Sequence, residues 1–431
     1  MMHAEIALTL FAVFAVLALL EVPIAFSLGL SAVATLVLHI PERSLMIVAA
    51  QTRNALLHEP LMAIPLFITA GLAFSKSGVA SRLVRFARLL VGGMPGGLAV
   101  VVVLVSIFFA AMSGSGPAAV AALGAVLIPA LAQNNYDKGF ASALVASSGG
   151  LGIIVPPSIA MVIYGVVARV DILKLFVGGV LPGLVMAAAL TGYVVVVSRR
   201  RGYGVREPWP GWGAFGCAFV AALPGLVAPV VILTCIYSGF SSPTKVAAVA
   251  VVYAFVADVL FYRDIKVRQV LGIFSEGAVI SSQVLVIVAA ASLFAWVLNY
   301  TEITQATVVW LKGAALPGWL MLLIINAVVL LAGCFIDAIS IYYIFVPILL
   351  PIVMHLGVSK LHFGVIMAVN LAIGQATPPV GVNLFVACGI SKVSLTRIAR
   401  AVFPLVLVEV AALLIITYLP WLSTFLPSLL P

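Results

Sequence analysis

Apolar residues fill this chain in long blocks, interrupted by short polar or charged stretches. A helix needs about 20 apolar residues to cross some 30 Å of hydrocarbon. Ten blocks predict such spans: 4–20, 24–39, 58–75, 141–167 and 176–197, then 213–237, 246–261, 269–298, 362–390 and 401–419. Two further apolar stretches, 95–132 and 319–353, do not fit one crossing each. In the first, Ala99–Met112 and Ala118–Leu131 are arms of 14 residues around Ser113-Gly114-Ser115-Gly116-Pro117. Each arm reaches only about 21 Å at 1.5 Å per residue. Glycine and proline mark a turn between them, so a re-entrant hairpin is predicted. The second stretch repeats the design around Gly333-Cys334-Phe335-Ile336-Asp337, and its first arm, Trp319–Ala332, again has 14 residues.

Two of the predicted spans carry a double proline in mid-course. Proline lacks a backbone N–H and its ring blocks a continuous helix. In lipid, an unpaired backbone group costs on the order of several kcal/mol. Pro156-Pro157 stands 222 positions before Pro378-Pro379, and the same offset carries Ser115 onto Asp337 and 24–39 onto 246–261. Each half reads helix, helix, helix, hairpin, broken helix, helix. An odd number of crossings per half inverts the second half relative to the first, the pattern of secondary transporters with sites on interrupted helices. The expected fold is therefore an all-α polytopic membrane protein of two inverted repeats, with about ten transmembrane helices and two re-entrant hairpins. The first repeat covers 1–197 (hairpin 95–132, broken helix 141–167). A cytoplasmic connecting loop covers 198–212, and the second repeat 213–431 (hairpin 319–353, broken helix 362–390). The basic segments 76–88, 198–207, 263–268 and 391–400 all fall on the cytoplasmic side if both hairpins return to the side they enter. Both termini then lie outside; the 4–20 helix is short, and if it does not cross, the N-terminus moves to the cytoplasm.

Composition agrees with this pattern. Of 431 residues, 64% are hydrophobic and 8% charged, against about 25% charged in a soluble domain. The net charge of +9 sits in short loops, as the positive-inside rule requires. No basic, aromatic-interleaved patch points to nucleic acid. The four cysteines form no CxxC pair and the five histidines no ligand spacing. No Walker A sequence, no GxGxxG after a strand and no GxGD motif is present, which speaks against a nucleotidase and an intramembrane aspartyl protease. The N-terminal apolar stretch lacks a basic n-region and an AxA-like cleavage site, and is expected to remain as a helix.

Chemistry concentrates at the interruptions. An intramembrane carboxylate costs about 2.5 kcal/mol or more, which makes Asp337 a functional candidate, although aspartate is also a favoured N-cap. Ser113 and Ser115 offer hydroxyls at the first tip, where freed carbonyls suit a hard cation such as Na⁺ and exposed N–H groups suit an anion. An ordinary small-residue turn for close packing is the alternative. The breaks Val155–Ser158 and Ala376–Gly381 free carbonyls, with Ser158 and Asn383 nearby; a plain proline kink is the alternative there. Asp258, Glu276 and Glu409 are expected to be structural or interfacial.

Five motifs in order, Ile64-Pro65-Leu66-Phe67, Ser113-Gly114-Ser115-Gly116, the Gly149–Gly165 run, Gly333–Asp337 and Gly374–Gly381, resemble the large membrane subunit (DctM type) of a tripartite ATP-independent periplasmic (TRAP) transporter. The resemblance runs through nearly the whole chain. It implies an elevator-type fold in the inner membrane of a bacterium, with Na⁺ as coupling ion. It implies as partners a small four-helix membrane subunit (DctQ type) and a periplasmic solute-binding protein (DctP type). The binding protein would deliver an organic acid: a C4-dicarboxylate, a sialic acid or another sugar acid. By the same resemblance Ser113, Gly152 and Val155 would contribute to a first Na⁺ site, and Gly333, Thr377 and Pro378 to a second. Ser115, Ser158 and Asp337 would line the substrate path. Two departures stand out. The family tip often reads SGSS, whereas Gly116 occupies the last place here. The usual TPTEA turn reads Ser-Pro-Thr-Lys-Val, with Lys245 in the acidic position, where it could alter contacts at the outer face. A stand-alone Na⁺/carboxylate symporter without a binding protein is the alternative reading.

Overall fold

A computed structural model describes residues 2–40, 44–204, 211–237, 242–302 and 316–430, and all regular structure among them is helical. Residues 205–210 of the expected connecting loop and Ser241 lie outside the described residues.

Helices α1 (Met2–Leu19) and α2 (Ile24–His39) form an antiparallel start. The third span differs from its expected bounds. The chain becomes helical at Ser44 in α3 (Ser44–Leu56), then bends by 61° through a short turn into α4 (Ala63–Lys76). Gln51, Thr52, Arg53 and Asn54 dilute the apolar signal of α3. The basic segment that follows is also a helix, α5 (Val79–Val91). Its Val79, Ala80, Leu83, Val84, Phe86 and Ala87 are buried and Arg85 is exposed, the one-sided spacing of an amphipathic helix.

The first hairpin consists of α6 (Gly97–Ser113) and α7 (Gly116–Gln133). Its arms are longer than expected, because the first helix starts at the left-handed Gly96 and runs to the tip serine. The first broken helix is α8 (Lys138–Gly149), the single turn α9 (Leu151–Ile154) and α10 (Ile159–Ala168), bent by 42°. Then come α11 (Ile172–Arg201), α12 (Trp212–Tyr237), α13 (Pro243–Ala257) and the 34-residue α14 (Val267–Tyr300). Lys245 is exposed in the first turn of α13. The second hairpin is α15 (Gly318–Gly333) and α16 (Ala338–His355). The second broken helix is α17 (Lys360–Gly374) and α18 (Val382–Ser391), followed by α19 (Leu395–Tyr418) and a short α20 (Trp421–Ser428). Among the described residues, seven helices are long and apolar enough to cross a membrane, or up to nine if each bent pair is one span. Two of the seven, α7 and α16, are second arms of hairpins.

Packing sorts the helices into two groups. In one, α13 lies on α4, α12 on α5, and α14 along α2, α3 and α4. In the other, α7 lies on α8 and α18, α15 on α17, α19 on α8, and α11 on α19 and α20. The groups meet where α14 touches α16 and where α4 and α5 touch α6. Ion pairs Lys76–Glu276 (2.5 Å) and Arg82–Asp264 (2.6 Å) tie the first group together, with the Arg82 guanidinium 4.3 Å from the centre of the Tyr262 ring. Such exposed pairs contribute about 0.2–1 kcal/mol each. Asp258 accepts hydrogen bonds from the N–H groups of Asp264 and Ile265 and so shapes the turn before α14. A buried polar ladder crosses the second group. Asn370 Nδ2 donates to Asn326 Oδ1 (2.8 Å), and Asn326 Nδ2 donates to Thr417 Oγ1 (3.0 Å). His362 bridges Ser423 Oγ and the Thr417 carbonyl.

Candidate functional site

Each hairpin tip is fastened by its backbone to a proline break. At the first tip, α6 ends in a left-handed residue, Gly114 (φ 62°), a conformation glycine adopts without a Cβ penalty. A Cβ there would lie 2.7 Å from the Pro157 carbonyl oxygen. The Gly114 carbonyl accepts a hydrogen bond from the Ile159 N–H at 3.2 Å. A Cβ on Gly152 would lie 2.9 Å from the Ser115 carbonyl oxygen, so the turn before the break presses on the tip. At the second tip the Cys334 carbonyl accepts from the N–H groups of Val380 and Gly381, both at 3.2 Å. Gly333 and Gly374 touch backbone to backbone: a Cβ on Gly374 would lie 2.7 Å from the Gly333 carbonyl carbon.

Both double prolines carry a cis peptide bond. Among the described residues, no backbone N–H outside the regular helices bonds to the carbonyls of Val155, Pro156 and Pro157, nor to those of Ala376, Thr377, Pro378 and Pro379. Ser113 is buried beside the first set, its Oγ 3.5 Å from the Ser115 carbonyl oxygen. Val155 turns its side chain toward Gly183 on α11 and leaves its backbone in the break. Thr377 Oγ donates to the Ile373 carbonyl at 2.7 Å. The donors at both breaks are oxygens alone, and the described residues hold no cluster of three or more His, Cys, Asp or Glu side chains suited to a metal. This donor set fits a hard monovalent cation better than zinc or copper.

Between the tips lies a cavity of about 150 Å³. Its polar lining is Ser115, Asp337 and Gln375; Ile153, Ile159 and Ile339 form apolar walls, and Ile68, Ile280 and Val284 close it from α4 and α14. The first residues of three helices open on it: Gly116 and Pro117 of α7, Ile159 and Ala160 of α10, Ala338 and Ile339 of α16. Helix N-termini carry the positive end of the dipole; of their N–H groups here, that of Ile159 is taken by the Gly114 carbonyl and those of Ile339 and Ser340 by the Asp337 carboxyl. Among the described residues, no lysine, arginine or histidine lines the cavity.

Asp337 caps α16. Its Oδ1 accepts from the N–H groups of Ile339 (2.9 Å) and Ser340 (3.0 Å), and its Oδ2 accepts from Ser340 Oγ (2.6 Å). The capping and cavity-lining positions coincide in one residue. Ser158 stands apart: fully buried, it caps α10 by accepting from the Met161 N–H at 3.4 Å and does not line the cavity. Glu276 pairs with Lys76, while Glu409 is buried with Oε2 unpartnered. Gln375 escaped the sequence reading. Its only signal there was an amide two positions before the Thr-Pro-Pro break.

The described helices and the paired tips and breaks define a polytopic helical membrane protein with a cavity at its interruptions. The chain belongs to the family described as the tripartite ATP-independent periplasmic transporter, DctM component, whose model matches residues 11–422. It is a large permease subunit of the TRAP type. It is 37% identical to the C4-dicarboxylate TRAP transporter large permease protein DctM of Rhodobacter capsulatus, over 98% of this chain and 99% of that one. It is 39% identical to the isethionate TRAP transporter permease protein DctMQ of Oleidesulfovibrio alaskensis, over 96% of this chain but only 65% of that protein's length. The crystal structure of the YdaH transporter of Alcanivorax borkumensis shares the fold, with a TM-score of 0.64 over 89% of both chains and 15% identity.

Proposed function

We propose that this chain imports a small organic acid in symport with Na⁺, by an elevator movement across the inner membrane of a bacterium. A periplasmic binding protein of the DctP type delivers the acid, and a four-helix subunit of the DctQ type braces the permease. One observation carries the reading: three helix N-termini face a cavity that holds no basic side chain. That arrangement favours a carboxylate without a fixed counter-cation. Na⁺ held by the carbonyls at the two breaks offsets the remaining charge. Ser113, Gly152 and Val155 serve the first ion, and Gly333, Thr377 and Pro378 the second. The membrane potential then supplies about 2.3 kcal/mol per charge per 100 mV. C4-dicarboxylate is what the name of the Rhodobacter relative states.

The test is uptake into cells that carry the whole transport system. Asp337→Ala and Ser113→Ala should each lower Na⁺-driven uptake about tenfold or more, the cost of losing one charged or ion-ligating contact, at unchanged protein level. Full uptake with unaltered Na⁺ dependence in both variants would remove the basis for this site.

A further inference from the structure

We infer that Asn383 couples the two proline breaks, so that the two Na⁺ ions bind as a pair and not independently. This coupling rests on the ion sites proposed above and adds to them a residue that belongs to neither. Asn383 is the second residue of α18, just past the second break, and it is fully buried. Its backbone N–H donates to the Gln375 carbonyl at 2.9 Å, which closes the chain over Thr377, Pro378 and Pro379. Its side chain reaches into the other half of the molecule. There Nδ2 donates to the Ala146 carbonyl of α8 at 3.1 Å.

The Ala146 carbonyl is free because α8 stops short. In a continuous helix the Gly150 N–H would bond to it; here that N–H turns to the Ser147 carbonyl at 2.9 Å. A buried carbonyl without a donor is costly, and Asn383 supplies the donor. Glycines admit it. A Cβ on Gly149 would lie 3.5 Å from Asn383 Nδ2 and 3.2 Å from the Gly116 carbonyl oxygen. One on Gly116 would lie 3.1 and 3.2 Å from the two polar atoms of the Asn383 amide. The amide is thus wedged between the first hairpin tip and the helix that leads into the first break. The two helix ends meet as well. Gly150 and Ala372 stand 222 positions apart, the offset of the two double prolines, and a Cβ on Gly150 would lie 2.8 Å from the Ala372 carbonyl oxygen.

Asn383 stands in neither proposed ligand set, so it is a positioning residue that acts through the backbone on both sides. Gln375 leads into Thr377 and Pro378; Ala146 leads into Gly152 and Val155. An ion that draws the carbonyls of one break together holds Asn383 in place, and Asn383 holds the helix end before the other. Such linkage is reciprocal. A second bond between the broken helices lies away from both breaks: Tyr164 Oη of α10 donates to the Lys360 carbonyl at the start of α17 at 2.6 Å. It supplies the control.

Uptake by cells that carry the whole transport system is measured against Na⁺ concentration, and labelled fluxes give the number of Na⁺ ions carried per acid. The wild type should rise with a Hill coefficient near 2, the number of proposed ions. Asn383→Leu, similar in size but without an amide, should lower the coefficient to about 1 and raise the half-saturating Na⁺ concentration about fivefold or more. Saturating Na⁺ should restore most of the uptake, with the ion count per acid unchanged. Tyr164→Phe loses a buried bond of the same kind and should keep the wild-type coefficient. Asn383→Ser, too short to reach Ala146, decides the matter if the leucine variant does not accumulate. A wild-type coefficient near 1 overturns the inference, as does an unchanged coefficient in an accumulating Asn383 variant. A lower ion count per acid in that variant would make Asn383 a ligand and overturn its positioning role. An equal fall in Tyr164→Phe would reduce the effect to general loosening and overturn it too. If wild-type uptake does not depend on Na⁺, the proposed symport itself falls; if it does and the Asn383 variants match it, only the coupling falls.

Discussion

At the scale of single residues, Asp337 holds two positions that substitution can separate. As an N-cap it satisfies two backbone donors of α16, worth about 0.5–2 kcal/mol. As a cavity wall it presents a carboxyl group to the space between the tips. Asp337→Asn keeps an oxygen that caps and removes the charge, whereas Asp337→Ala removes both. The expected outcome is a melting temperature near wild type for the asparagine variant and a lowered one for alanine, with Na⁺-driven uptake reduced in both. Normal uptake in the asparagine variant would leave capping as the only function of the residue. Glycines give a second contrast. Gly374→Ala places a Cβ 2.7 Å from the Gly333 carbonyl carbon, and backbone does not yield as a flexible side chain does. It should destabilise the second hairpin by about 1–3 kcal/mol. Gly389→Ala, exposed in α18 with nothing within 4 Å, should be neutral or stabilise by about 0.5–1 kcal/mol. Thermal unfolding in detergent measures both, and equal effects would contradict the tight Gly333–Gly374 contact.

At the scale of elements, the tips and breaks were legible because glycine and proline interrupt apolar runs where nothing else does. Ser113, Gly114 and the two double prolines marked places where helices end, and the structure ends them there. What joins a tip to its break was not legible. The bonds from Ile159 N–H to Gly114 and from Gly381 N–H to Cys334 are made by backbone groups, which every residue carries and which leave no pairing signal in the sequence. The amphipathic α5 read as a cytoplasmic basic segment because its arginines masked the buried face. Gln375 was missed for the opposite reason: one amide in an apolar run carries no period. Long-range charge pairs were equally silent. Arg397 at the start of α19 meets Asp137, the N-cap of α8, at 2.5 Å, two elements that sequence places far apart. Burial pulls the Asp137 carboxyl upward, but the Phe140 N–H and the Arg397 guanidinium more than offset it and hold it below its ordinary value of 3.8. A folded carboxyl held low adds stability that is complete above the unfolded value and is lost as pH falls through the folded one. Asp137→Asn should therefore melt below wild type at neutral pH, and the gap should close as pH drops well below 3.8. A gap that stays constant over that range would show that the pair adds no charge-dependent stability.

At the scale of the whole molecule, the division of helices gives the proposed elevator a physical form. The cavity is walled by both groups: its polar tips belong to the hairpins, and Ile68, Ile280 and Val284 belong to α4 and α14. Under the proposed elevator, the apolar Ile68, Ile280 and Val284 form a face with no polar side chain to unpair, whereas the second group is cross-linked internally by the Asn370–Asn326–Thr417 ladder and the Arg397–Asp137 pair. Breaking a buried polar network costs more than sliding an apolar contact, so the second group should move as one body. Spin labels test this directly. Lys245 on α13 belongs to the first group, whereas Arg169 at the end of α10, which packs on α11, α16 and α17, and Trp421 on α20 belong to the second; all three are exposed. With Na⁺ and substrate added or removed, the Lys245–Arg169 distance distribution should shift or split by several ångströms. The Arg169–Trp421 distribution should keep its position and width. Movement of both pairs together would mean that the hairpins flex individually, and stillness of both would rule out an elevator while leaving a fixed-site carrier.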